Sequence, residues 1–135
     1  MMKTAKLGTV LLVLALLAGC ASSSSTKPVR SEFEDIPIPR GLEFRTGDST
    51  IIESPTVKAA RLVYRGRLEL QSLATAWRST LEANGWRHVS TTSVQDQGIT
   101  QVYEKAGTSL QVRLSEGWIY TYAELTVGRA IQPPK

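Results

Sequence analysis

The apolar positions of this chain change period along its length, and each change marks an element. Val10 to Ala18 is unbroken apolar sequence preceded by Lys3 and Lys6. Much further on, "STIIES" (Ser49 to Ser54) is a short β-rich run stopped by Pro55. "VKAARLVYRGRL" (Val57 to Leu68) alternates, with Ala60, Leu62 and Tyr64 on one face and Arg61, Val63, Arg65 and Arg67 on the other. The period then lengthens: Leu70, Leu73, Ala74, Trp77 and Leu81 recur at helical spacing and form one stripe. Glu69 suits the positive N-terminal end of that helix, and Asn84-Gly85 supplies a left-handed stop. Four more strands follow: Trp86 to Val94, Ile99 to Lys105, Ser109 to Glu116 and Tyr120 to Gly128. "QDQG", "AGT" and the turn at Gly117 between them are short enough for hairpins. The predicted order is β-β-α-β-β-β-β. It describes a single α+β domain, a mostly antiparallel sheet of about five or six strands covered on one face by one helix. Leu110, Val112, Leu114, Ala123, Leu125 and Val127 are the expected partners of the helix.

The first apolar run behaves differently. Nine helical residues cover roughly 14 Å, against about 30 Å for a bilayer core, so the run is short for a span and suits an export signal that is removed. It ends in "LAGC" (Leu17 to Cys20), which carries the single cysteine of the chain. This string resembles the bacterial lipobox. The resemblance implies a diacylglyceryl thioether on Cys20, cleavage just before it by the lipoprotein-processing enzymes, and acylation of the new amino group. Sulfur is suited to the role because its thiolate is the good nucleophile near neutral pH. One acyl chain holds weakly and several hold durably, at roughly 0.8 kcal/mol per buried CH2. Ala21 and Ser22 stand where an aspartate would retain a lipoprotein in the inner membrane. The implied location is therefore the periplasmic face of the outer membrane.

Composition refines this picture. Removing the first 19 residues takes away Lys3 and Lys6 and lowers the formal charge from +4 to +2, so no pull on nucleic acid is implied. With Cys20 lipidated the mature chain keeps no thiol, and its core must hold by packing alone. "ASSSSTKPVRSEFED" (Ala21 to Asp35) is Ser-rich and then charged, with too little apolar content to offset ordering; residues 20–35 are expected to be a lipidated cysteine and a disordered tether. "IPIPRG" (Ile36 to Gly41) reads as an extended arm or edge strand with Ile36 and Ile38 pinned to the core. The globular domain is expected at 36–130 and a flexible tail at 131–135.

"IPIPRG", then "LVYRGRL", then a helix ending "NGW" and a strand ending "YEK" resembles small, uncharacterised proteobacterial lipoproteins with an IP-x-P-x-G, VY-x-G, GW, F/Y-E-K pattern. The resemblance spans roughly Ile36 to Lys105, its motifs are structural, and it carries over no functional residue. In outline the layout is also similar to the helix-grip domains of barrel-assembly lipoproteins, as an analogy of fold alone.

The inventory for catalysis is thin. His88 is the sole histidine, which excludes a histidine cluster for zinc, and it sits on an expected strand rather than in a nucleophile motif. Glu53, Glu69, Glu82, Glu104, Glu116 and Glu124 are scattered, and no phosphate-cradling glycine loop is present. No metal or cofactor is implied. Two features remain as a partner surface. Arg61, Arg65 and Arg67, with Arg113 from a neighbouring strand, could meet lipid phosphates or acidic glycans, or could pair with Glu104 and Glu124. Tyr120 and Tyr122 face away from the helix, where they either bind a partner or shield the sheet, and Trp118 stands in a hairpin turn. Trp77 and Trp86 belong to the core. The expected function is that of a lipid-anchored, non-enzymatic envelope protein that binds an envelope protein or polymer. A carrier of a small apolar ligand between helix and sheet, or an envelope hydrolase using carboxylates, are the alternatives. Cys20→Ser is expected to abolish lipid incorporation and processing; metabolic labelling with a fatty-acid analogue and the mass of the mature chain measure both.

Overall fold

The computed structural model describes Phe33 and residues 35–130. Cys20, the export signal, most of the expected tether and the last five residues lie outside that range. The helix, α1 (Leu70–Ala83), forms where the apolar stripe predicts it. Glu69 is its N-cap: the carboxylate accepts from the amides of Gln71 (2.8 Å) and Ser72 (2.7 Å), satisfying two orphan donors of the first turn. At the other end the amide of Gly85 donates to Glu82 and that of Trp86 to Leu81, the double bond pattern that closes a helix through a left-handed residue. Gly85 takes that conformation at φ +83°, where other residues are strained. Leu81 and Trp86, bridged by this turn, are both buried.

Among the described residues, seven strands form one sheet. They are β1 (Glu43–Phe44), β2 (Thr50–Glu53), β3 (Val57–Gly66), β4 (Arg87–Val94), β5 (Gly98–Lys105), β6 (Thr108–Glu116) and β7 (Thr121–Ala130). The spatial order is β1-β3-β7-β6-β5-β4, with β2 also on the free side of β3. β4 to β7 form an antiparallel meander. β3 pairs antiparallel with β7 over ten positions, from Val57 opposite Ala130 to Gly66 opposite Thr121. The chain therefore leaves β3 near one side of the sheet and re-enters at β4 on the far edge, and α1 crosses the face between them, touching β4, β5 and β6.

Alternation then decides what is buried. Ala60, Leu62 and Tyr64 of β3, Leu110, Val112 and Leu114 of β6, and Ala123, Leu125 and Val127 of β7 face α1 and form the core with Leu73, Ala74, Trp77 and Leu81. The space beneath the helix is filled by Trp77, Tyr103, Leu81, Leu110 and Leu125, all fully buried, where a carrier would need several hundred Å3 of open volume. One polar pair sits inside this layer. The buried Gln101 side chain donates to the Ala74 carbonyl at 3.1 Å and accepts from the Tyr103 hydroxyl at 2.9 Å. Burial pushes the Tyr103 phenol up to about 12, so it remains a donor across the ordinary pH range.

Two features differ from the sequence expectation, and one open alternative is settled. The sheet has seven strands rather than five or six, because Glu43–Phe44 adds a two-residue strand beside β3, and a 3-10 turn at Thr46–Asp48 separates it from β2. Of the two readings of the proline arm, the extended arm is the one observed: Ile36 and Ile38 pack against the core as expected, joined by Leu42, and two prolines deny the arm ladder donors. The folded unit also takes in residues assigned to the tether. Phe33 is buried in the core and Asp35 pairs with Arg129 at 3.0 Å.

Trp77→Ala is expected to lower the unfolding free energy by about 3–5 kcal/mol, since it empties the largest buried volume under α1. Chemical denaturation of the full chain measures it.

Candidate functional site

The loop joining β6 to β7 is the least conventional part of the surface. Its residues, Gly117 to Tyr120, are closed by the Gly117 amide donating to the Tyr120 carbonyl at 2.8 Å. Tight turns normally carry Gly, Asn, Asp, Pro or Ser at their apex, but here the apex is Trp118-Ile119. Trp118 is 98% exposed and Ile119 59% exposed.

The loop is held from below. The Thr121 hydroxyl donates to the Leu68 carbonyl at 2.6 Å, tying the start of β7 to the segment that enters α1. The Tyr122 ring lies against Gly117, and a Cβ there would stand 2.7 Å from that ring, so a larger residue would displace it. Arg65 lies over the Tyr120 ring at 4.7 Å and Arg67 at 5.4 Å from its centroid. Arg65 is also bonded to Glu43 at 3.2 Å. Arg67, Leu68 and the loop itself line an open concavity of about 640 Å3. A solvated indole and an isoleucine, on a loop whose base is held, are thus presented beside a guanidinium.

The arginine row divides into two groups. Arg65 and Arg67 belong to Tyr120. Arg61 bonds Glu124 at 2.6 Å and the Asp48 carbonyl at 3.2 Å, and Arg113 stands directly opposite Glu124 on the neighbouring strand. The Arg61 guanidinium holds the Glu124 carboxyl below its usual range, and Glu124 in turn raises Arg61. A carboxyl depressed in the folded state contributes stability above its unfolded pKa and loses it as pH falls through the folded value. Exposed pairs of this kind contribute under about 1 kcal/mol. Asp48, Val63, Ser115 and Tyr122 complete a shallow depression of about 350 Å3 around them. Opposite charges are matched there, so the sheet face carries no continuous basic strip. Glu104, expected on the same surface, pairs instead with Arg87.

His88 is partly exposed on β4, with Nε2 2.8 Å from the Thr91 hydroxyl and its ring edge-on to Tyr103. Among the described residues no group of three His, Cys, Asp or Glu side chains could hold a metal ion, and no helix is long and apolar enough to cross a membrane. The two carboxyls whose pKa moves, Glu69 and Glu124, both move down, opposite to the direction a general acid needs.

The candidate surface residues therefore fall in three places: Trp118 and Tyr120 with Arg65 and Arg67 at the loop; Arg61, Arg113 and Tyr122 around Glu124; and Cys20 outside the described residues. Ile119 was missed, although an apolar dipeptide between a turn glycine and a strand was a visible signal. No family model, curated protein or solved structure matches this chain.

Trp77 and Trp86 are buried while Trp118 is solvated, so the emission of the folded chain should contain one component open to acrylamide and two that are shielded. Trp118→Phe is expected to remove the quencher-accessible, red-shifted component and leave the unfolding midpoint within the range of a surface change.

Proposed function

We propose that this chain is a lipid-anchored, non-enzymatic module of the bacterial cell envelope, held through Cys20 at the periplasmic face of the outer membrane, that binds an envelope protein or polymer through the β6–β7 loop. The observation that carries this is the position of Trp118 relative to the end of the domain where the first described residues lie. Asp35 is bound by Arg129 near the far end of β7, and Trp118 lies just before its first residue, Thr121. Eight steps of about 3.3 Å put roughly 26 Å between those ends of the strand. The described chain begins at one end of the sheet, where Asp35 meets Arg129, and the exposed indole and isoleucine stand at the other.

An exposed tryptophan of this kind is a candidate anchor for association. Burying roughly 200 Å2 of indole contributes about 5 kcal/mol before the costs of association. Arg67 and the cation over Tyr120 supply a polar rim beside it, the layout of an apolar centre with charged surroundings. A partner of matching chemistry has an apolar slot bordered by acidic groups. It sits on the side of the domain away from the anchoring bilayer.

A photo-crosslinking residue at position 119, beside the intact Trp118, in the full chain in native membranes, is expected to capture an envelope component, and the same probe at Asn84 is not. Trp118→Ala should lose the captured partner while remaining folded and membrane-bound. If Trp118→Ala left every crosslinked partner in place, the loop would not be the binding surface.

A further inference from the structure

The two edges of the sheet are finished differently. On one side β3 is covered by β1, of two residues, and β2, of four, with a 3-10 turn between them and Pro55 after β2. Ion pairs from Glu43 to Arg65 and from Glu53 to Lys58 cross this side. Short strands, proline and charge are the usual devices that keep an edge from recruiting another strand. On the other side, among the described residues, β4 pairs with β5 alone. It is eight residues long, and its register shift is confined to His88 and Ser90. From Ser90 to Val94 it reads Ser-Thr-Thr-Ser-Val, every residue exposed, with no charge, proline or glycine.

We infer that β4 is a self-association edge, which pairs antiparallel with β4 of a second copy of this chain about a two-fold axis perpendicular to the sheet. The chemistry of the strand favours a copy of itself. Such an axis keeps the helix-bearing faces on one side, so residues of like facing meet. Centring on Thr91 sets Ser90 opposite Thr92 of the second copy; centring on Thr92 sets Thr91 opposite Ser93. Both registers place hydroxyl against hydroxyl and bring no like charges together, an arrangement that stabilises a ladder.

The flank above the strand is equally self-complementary. Thr75, Arg78, Ser79 and Glu82 of α1 line an open groove of about 400 Å3 with Thr91 and Ser93. Arg78 and Glu82 are bonded at 3.0 Å within one copy, and two-fold apposition sets Arg78 of one copy toward Glu82 of the other. A foreign strand added to an edge is selected by pockets for its alternate side chains. Here the groove offers hydroxyls and an ion pair, with the apolar Ile99 at its floor already buried.

The test is cysteine scanning in the full chain. Ser90→Cys, Thr91→Cys, Thr92→Cys and Ser93→Cys are each made singly, with Ile52→Cys on the opposite edge as control and the wild-type chain as the blank for Cys20. Opposed strand residues lie about 4.5–5.5 Å apart at Cα, within the range a disulfide spans. Mild oxidation in membranes is expected to give a band at twice the chain mass, strongest at whichever of Thr91 or Thr92 lies on the axis and missing at Ile52. Thr92→Lys, with its circular dichroism unchanged, should lose dimer in detergent by light scattering. No band at any of the four positions, an equal band at Ile52, or adducts only with a different protein would each overturn the inference. None of these outcomes depends on what the β6–β7 loop binds.

Discussion

β7 is the strand on which the rest of the structure depends. It pairs with β3 over ten positions on one side and with β6 over nine on the other, and three of its residues, Ala123, Leu125 and Val127, sit at the centre of the core. Residues some sixty positions apart in the chain meet along this ladder. Because β3 is held against β7, the chain cannot continue into a simple hairpin meander. It crosses the face of the sheet as α1 and starts again at the far edge, which brings the Trp77 and Leu81 stripe down onto the inner faces of the meander. One pairing thus determines the position of the helix and the existence of the open edge at β4.

The same strand also sets the two ends of the molecule apart. At its last turn of ladder Arg129 binds Asp35 and Thr108, and at its first Thr121 binds Leu68 beneath the Trp118 loop. The β3 register carries Arg65 to Tyr122 and so to the flank of Tyr120. A loop stacked against arginine and packed onto Gly117 by Tyr122 loses little conformational freedom when it meets a partner, and low ordering cost is what makes a rigid aromatic effective at an interface. The proposed role therefore rests on placement: the first described residues at one end of β7 and an exposed apolar apex on a held loop at the other.

Much of the architecture was legible in the sequence because it is local. The helix was visible in the spacing of Leu70, Leu73, Ala74, Trp77 and Leu81, its stop in Asn84-Gly85, and the four later strands in alternation broken by turn residues. The inward faces of β3, β6 and β7 followed from the same parity. What was not legible is non-local or too short to have a period. Two residues at Glu43–Phe44 cannot display alternation, and Phe33 is one aromatic in a polar stretch whose average composition outweighs it. The pairing of β3 with β7, and the order of the sheet, depend on contacts no spacing encodes. The arginine row illustrates the point: parity correctly placed Arg61, Arg65 and Arg113 on one face. The cross-strand register sets Arg113 opposite Glu124, Arg61 reaches Glu124 diagonally, and Arg65 and Arg67 lie over Tyr120. Gln101 was similarly hidden, since a glutamine on the inner face is tolerated only because Ala74 and Tyr103 satisfy it.

The central claim of the proposal is that the Trp118 loop faces away from the bilayer to which Cys20 would anchor the chain. Its most direct test is tryptophan emission of the full lipidated chain in liposomes whose acyl chains carry bromine, which quenches an indole on contact. Emission that matches that in unbrominated liposomes is the predicted result. Quenching in the wild-type chain that disappears in Trp118→Phe would put the loop in its own membrane and contradict the account.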